Sequence, residues 1–184
     1  MAVGDRTGWF SPERRGILPL DQVHISRRLG RLLRQRRFRS SVNTAFPRVI
    51  AACAARPDDA GNWIDGEIID SFEALHVAGF AHSIEVWDHE TLAGGLYGVS
   101  LGGAFFGESM FHVVTDASKI ALCILIARLR QRGYRLLDIQ WLTPHLARFG
   151  AVEVSRQQYL GMLGAALDVN CSFDDGQANA NSPH

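Results

Sequence analysis

Glu108 stands inside Phe105-Phe106-Gly107-Glu108-Ser109-Met110-Phe111, a run that otherwise carries no charge. Strand alternation puts Phe106, Glu108 and Met110 on one face and Phe105, Gly107, Ser109 and Phe111 on the other. A carboxylate turned toward an apolar interior needs a partner, because burying it alone is costly. A substrate ammonium would serve; an internal arginine would serve too, and spacing alone favours the arginine. The stretch Leu136–Trp141 repeats the oddity: Asp138 and Gln140 share one face of an otherwise apolar segment. Neighbours on one strand face can point at a common spot. The carboxylate can hold the amide in one orientation, and the amide oxygen can accept a hydrogen bond from an attacking amine. A neutral amide barely takes a proton, so any general-base role has to run through Asp138, a water or the substrate. The plain alternative is a pair of edge-facing polar residues that close a loop.

A second chemistry is written in arginine. Arg27, Arg28, Arg31, Arg34, Arg36, Arg37 and Arg39 fall within thirteen residues, while Lys119 is the only lysine of the chain. Positions 27, 31 and 34 share a helical face with 28 beside them. Such a face binds a polyanion by releasing counterions, strongly and without regard to sequence. Phe38 is the only aromatic residue of the run, which favours phosphate contact over base stacking. The alternative is a solvated amphipathic face.

Other chemistries find less support. Cys53, Cys123 and Cys171 are far apart with no C-x-x-C pair, which argues against a zinc knot or a disulfide framework and fits a reducing cytoplasm. His76 and His82 flank Gly79 and read as hydrogen-bonded structural residues with no third metal ligand. Ser109, Ser118 and Cys123 have no base at a readable distance. Gly94-Gly95, Gly98 and Gly102-Gly103 match neither a Walker loop nor a dinucleotide fingerprint and read as turns or close backbone approaches. No signal-peptide core or membrane-length apolar run is present.

These groups need elements to position them. At 184 residues, 47% hydrophobic and 21% charged, the chain is long enough for one domain with a real core. Residues 1–20 read as turn-rich. Asp21 is placed to cap a helix over 22–36, Thr44 a helix over 45–55 with Pro47 in its first turn, and Asp65 a helix ending at Gly79. Arg56 to Gly61 reads as a loop. Ser83–Trp87, Leu96–Val99 and Ala104–Phe111 read as an antiparallel meander, with a turn bracketed by Thr91 and Gly94-Gly95. Asp116 is placed to cap a long amphipathic helix over 117–131 closed by Gly133. Arg135–Leu142 reads as a central strand, Pro144–Phe149 as a short helix and Val152–Leu160 as a last strand. The signal then fades, and Asp174–His184 reads as a disordered tail. The class is α+β, compatible with a GNAT-type acyltransferase core, a mixed sheet flanked by helices, preceded by an N-terminal helical segment. The expected organisation is an Arg-rich helical segment over 1–64, the catalytic core over 65–160 and a tail over 161–184.

Several stretches, taken in order, resemble one family. They are Trp63-Ile64; Leu75-His76 with Gly79 and Ala81-His82-Ser83-Ile84-Glu85-Val86-Trp87; Gly94-Gly95-Leu96-Tyr97-Gly98-Val99; Phe105 to Phe111; Ala117-Ser118-Lys119; Asp138-Ile139-Gln140; and His145-Leu146. Over roughly residues 9–160 the chain resembles the bacterial leucyl/phenylalanyl-tRNA–protein transferases. That resemblance implies transfer of Leu or Phe, and Met, from aminoacyl-tRNA to the N-terminal Arg or Lys of an acceptor protein, marking it for N-end-rule degradation. It implies no metal and no coenzyme A, a GNAT-like core, and a cytoplasmic protein, which we expect to be a monomer. By the same resemblance Glu108 engages the amino group of the aminoacyl ester, and Asp138 and Gln140 orient the acceptor amine and support proton removal. Trp63 contacts the 3′-terminal adenosine region. Leu96, Phe105, Met110, Leu122, Leu125, Leu129 and Leu137 line the pocket for the aminoacyl side chain. Arg27, Arg28, Arg31, Arg34 and Arg37 hold tRNA phosphates. The family's Gly-Ile-Phe-Pro-Trp stretch, which contributes to the tRNA-end site, would fall just ahead of Trp9, so the N-terminal domain reads as incomplete. Members usually carry Ser-Arg after Phe111 and Asn before Ala-Ser-Lys; this chain has His112-Val113 and Asp116. The alternatives are a GNAT-type acyl-CoA acyltransferase, although no Gly-rich pyrophosphate turn precedes Ala117, and a non-catalytic tRNA-binding relative.

Overall fold

A computed structural model describes residues 12–55 and 63–174, with the backbone of two short strands, β1 (Ala2–Val3) and β2 (Arg6–Thr7). The elements that follow are β3 (Arg14–Ile17), α1 (Arg27–Arg34), β4 (Arg39–Val42), α2 (Phe46–Ala54), α3 (Gly66–Val77), β5 (Ala81–Asp88), β6 (Thr91–Leu101), β7 (Ala104–His112), α4 (Ala117–Gln131), β8 (Leu136–Gln140), α5 (Pro144–Ala147), β9 (Val152–Ser155) and α6 (Arg156–Leu167). Seven strands form one mixed sheet in the order β4-β5-β6-β7-β8-β3-β9. Only the β7–β8 pairing is parallel; the others are antiparallel. The fold is α+β, as the element order implies.

Helix α4 fills one face. Ile120, Ala121, Leu125 and Leu129 are buried there with Ile84, Leu96 and Phe105 from the sheet. Its close approach to β6 requires glycine at 94, where a Cβ would stand 2.7 Å from Ala117 Cβ. The opposite face carries two smaller clusters, one of α2 with Tyr97 and Phe111, the other of α6 with Ala104 and Leu136. Helix α1 attaches by Leu29, which joins the α4 cluster, while Arg27, Arg28, Arg31 and Arg34 stay exposed.

The meander, α3 with its Asp65 cap, α4 and α5 follow the sequence pattern closely, except that Asp116 does not cap α4, because Arg28 and Lys119 take its carboxylate. Asp65 Oδ1 accepts from the Ile68 amide at 2.9 Å. The exceptions have tertiary causes. The helix expected from residue 22 begins at Arg27, capped by Ser26, because the His24 amide donates to the Phe149 carbonyl and holds this stretch extended. The segment 1–64 is not purely helical: β3 and β4 join the sheet, β3 between β8 and β9. Gly16 makes the β3 position attainable, since a Cβ there would meet the Trp141 carbonyl carbon at 2.8 Å. Thr44 does not cap α2; its hydroxyl donates to Ser41 and Glu85, and Ala45 takes the cap position. Gly94 and Gly95 lie within β6 rather than in a turn. The expected strand to Leu160 stops at Ser155, where a reciprocal capping box with Gln158 starts α6. Residues 161–174 are therefore no structureless tail, and Phe173 is buried against Phe105 and His82. The loop expected over 56–61 and residues 175–184 of the expected tail lie outside the described residues.

Candidate active site

The site begins with an irregularity in β7. Tyr97 pairs with Ser109 and Gly98 with Gly107, which leaves Glu108 as the extra residue of a β-bulge. The bulge reverses side-chain parity beyond it. Phe105 packs with the α4 cluster and Phe111 with the α2 cluster, so the two are not on one face as unbroken alternation predicts. Gly98 lets the bulge form: a Cβ there would lie 2.2 Å from the Phe106 carbonyl oxygen.

The bulge also ends a pairing. β7 and β8 are bonded only from Ala104 to Phe106 against Leu136 to Asp138. Beyond that point the strands part, and the opening is a cavity of about 300 Å³. Leu96, Met110, Leu122, Leu125 and Leu137 line it as expected, joined by Ile139 and Leu146. Glu108, Gln140 and Trp63 also border it, so residues far apart in sequence meet in one recess. Phe105 and Leu129 do not line it. They are fully buried in the layer behind, with Phe105 stacked on Phe173 at 5.1 Å between centroids.

Asp138 lies behind the cavity wall and is fully buried. Arg15 Nε donates to both its oxygens at 3.0 and 3.1 Å, Arg15 Nη2 donates at 3.0 Å, and the Tyr159 hydroxyl donates at 2.5 Å. The Gln140 backbone N–H, not its side-chain amide, donates to Oδ1 at 2.8 Å. That last bond holds Gln140 at φ 58, a left-handed backbone rare for such a residue. The strand turns there, and Gln140 is presented to the cavity. Arg15 and Tyr159 are the partners of Asp138 that sequence reading missed. Arg15 fell in a segment read as turns and Tyr159 in one read as strand. The available signal was Asp138 itself, since a carboxylate in an apolar strand demands a cation.

Burial pushes Glu108 up to about 7 from its ordinary 4.5; the nearby Asp138 charge adds to the rise and Arg15 opposes it. The cavity is therefore bordered by one carboxyl poised near neutrality and by Gln140, whose backbone is held from behind by Asp138. Of the other polar groups singled out earlier, Ser109 borders the cavity, while both histidines are packed against aromatic rings elsewhere. His76 stacks on Phe46 with ring centroids 4.2 Å apart, and His82 stacks on Phe173 at 4.4 Å. Ser118 Oγ does find His112 Nδ1, at 3.5 Å, but neither borders the cavity. Among the described residues no three His, Cys, Asp or Glu side chains come together as a metal ion would need. No helix of the described residues is long and apolar enough to cross a membrane.

An apolar recess with a carboxyl and Gln140 at its edge can hold an apolar side chain beside a cationic group. Residues 17–164 match the leucyl/phenylalanyl-tRNA protein transferase family, and the chain belongs to that family of aminoacyltransferases. It is 55% identical over 166 residues to the leucyl/phenylalanyl-tRNA–protein transferase of Hyphomonas neptunium, covering 90% of this chain and 64% of that protein. The enzyme of the same name from Ruegeria sp. is 54% identical, covering 87% of this chain and 75% of its own length. That of Gloeobacter violaceus is 50% identical, with 92% and 86% covered. The chain thus spans less than two thirds of the first of these relatives.

Proposed function

We propose that the chain moves Leu, Phe or Met from aminoacyl-tRNA to the N-terminal Arg or Lys of an acceptor protein, forming a peptide bond and marking the acceptor for degradation. The observation that carries this is the opening between β7 and β8, where an apolar cavity meets Glu108 and Gln140. The leucine-lined wall takes the aminoacyl side chain. Ionised Glu108 pairs with the ammonium of the aminoacyl ester. Gln140 accepts a hydrogen bond from the acceptor amine, and Asp138 acts through Gln140 by fixing its backbone. Trp63, at the cavity edge, stacks on the terminal adenosine.

The amine nitrogen forms the new C–N bond, the ester C–O bond breaks, and the proton lost by nitrogen is matched by one gained on the terminal ribose oxygen. The ester is already activated, so positioning supplies most of the rate. An apolar wall separates side chains by only roughly 1–3 kcal/mol per methylene, so exclusion of β-branched donors rests on the shape of the cavity. We take the sheet opened at a bulge as a GNAT-like core over 65–160, with 1–64 supplying the Arg-rich surface, in a cytoplasmic monomer.

The test is transfer of radiolabelled Leu or Phe from charged tRNA to a protein with N-terminal Arg or Lys. Transfer by the full chain that Glu108→Gln reduces by two orders of magnitude or more supports the reading. No transfer from any of the three charged tRNAs overturns it.

A further inference from the structure

A second recess, of about 220 Å³, shares His145 with the apolar cavity. Arg28, Lys119 and Arg148 border it with His24, and among the described residues that line it Asp116 is the one carboxylate. Asp116 immediately precedes the fifteen-residue helix α4 but does not cap it: its side chain makes no bond to the helix amides. Instead its oxygens take Arg28 Nη2 and Lys119 Nζ, each at 2.6 Å. The start of α4 thus adds its positive dipole end to an already cationic recess. Arg148 makes no ion pair among the described residues. His145 Nε2 is buried and has no hydrogen-bond partner among the described residues.

We infer that this recess seats a phosphodiester, that of the last linkage in the 3′-terminal strand of the tRNA. Asp116 stands in for the phosphate until the RNA arrives. The inference rests on the aminoacyl-tRNA reading above. Its geometric ground is adjacency. A terminal nucleotide places its 5′-phosphate one ribose away from the ester on its 3′ end, and the two recesses are separated by one shared imidazole. A phosphate oxygen can take Lys119 and Arg28 from Asp116, accept from Arg148 and accept from His145 Nε2. Charge-assisted bonds of this kind are the strong ones. The same recess would suit a coenzyme A pyrophosphate or free phosphate, so the test separates these sources.

The probe is a short RNA hairpin with a 3′ CCA end, titrated into the full chain, alongside a hairpin whose last linkage is a neutral methylphosphonate. For the wild type we expect the neutral linkage to weaken binding about five- to tenfold. In a Lys119→Gln/Arg148→Gln variant the ordinary hairpin binds about as weakly, and the neutral linkage makes little further difference. Arg148 is exposed and Lys119 half-buried, so circular dichroism and a melting curve check that the double variant is folded before its binding is read. Asp116→Asn removes the competing carboxylate while keeping a residue that tolerates the left-handed backbone, and it should tighten binding about threefold. If the neutral linkage is harmless in wild type, or equally harmful in the double variant, while transfer proceeds, the inference falls and the transferase reading stands. If Asp116→Asn weakens binding or leaves it unchanged, the stand-in role falls. Saturable binding of coenzyme A or inorganic phosphate, with none of the hairpin, overturns the inference in favour of those ligands. No hairpin binding together with no transfer overturns both readings.

Discussion

Arg15, Tyr159 and the Gln140 backbone N–H all donate to the Asp138 carboxylate, which ties the turn at Gln140 to β3 and α6. Tyr159→Phe therefore tests positioning. Losing a hydrogen bond to a charged group costs roughly 1.5–3 kcal/mol of stability. We expect kcat to fall about tenfold with the KM for aminoacyl-tRNA little changed, because Gln140 loosens while the side-chain pocket does not. Equal changes in both parameters would point to general disorder instead. Glu108 makes a prediction in pH. Its folded value near 7 lies above 4.5, so the folded chain retains a proton that the unfolded chain has released across that window. The stability this contributes is complete below 4.5 and gone as pH rises through about 7. Glu108→Gln carries no charge to bury, so its melting temperature should exceed wild type increasingly from pH 4.5 to 7 and by roughly 5 °C at pH 8. Activity moves the other way: wild-type kcat/KM should fall as pH drops below about 7, and the variant should lack that limb.

At the scale of elements, the site is a consequence of the β7 bulge. A Cβ at position 98 would lie 2.2 Å from the Phe106 carbonyl and 2.5 Å from the Phe105 ring. Backbone cannot retreat from that overlap without changing register. Gly98→Ala should cost about 3 kcal/mol, at the upper end for overpacking, read by urea denaturation. It should also lower transfer in protein that remains folded, because Glu108 loses its position. The bulge was not legible in the sequence: Phe105 to Phe111 alternates well enough as a plain strand, and nothing local marks an extra residue. What forces it is the pairing with β6, where Gly98 accepts a close backbone. Strand β3 was hidden for a related reason. Four residues with two arginines and a glycine show no period, and only the edges of β8 and β9 make them a strand.

At the scale of the whole molecule, charge is segregated although the formal total is zero. Helix α1 buries Leu29 and turns its arginines outward, while Arg28 reaches the second recess and Arg37 pairs with Asp88 at 3.0 Å. Arg31 and Arg34 make no ion pair among the described residues and are free to meet a polyanion. Replacing both by Gln should reduce the slope of log affinity for tRNA against log salt by about 1–2 and leave thermal stability within about 0.5 kcal/mol. An unchanged slope would assign the stripe to solvation alone.

The sequence by itself determined the class, the meander, α4 and the residues of chemical interest. Each is a local matter of periodicity, capping or an ionisable group in an apolar run. Glu108, Gln140 and five of the seven expected pocket residues do meet in one cavity. Tertiary structure alone decided that Phe105 and Leu129 form the layer behind it, that Arg15 and Tyr159 occupy Asp138, and that the sheet opens where it does. Those outcomes depend on which strand edges meet and how closely backbones approach. The spacing of residues along a single segment does not encode that.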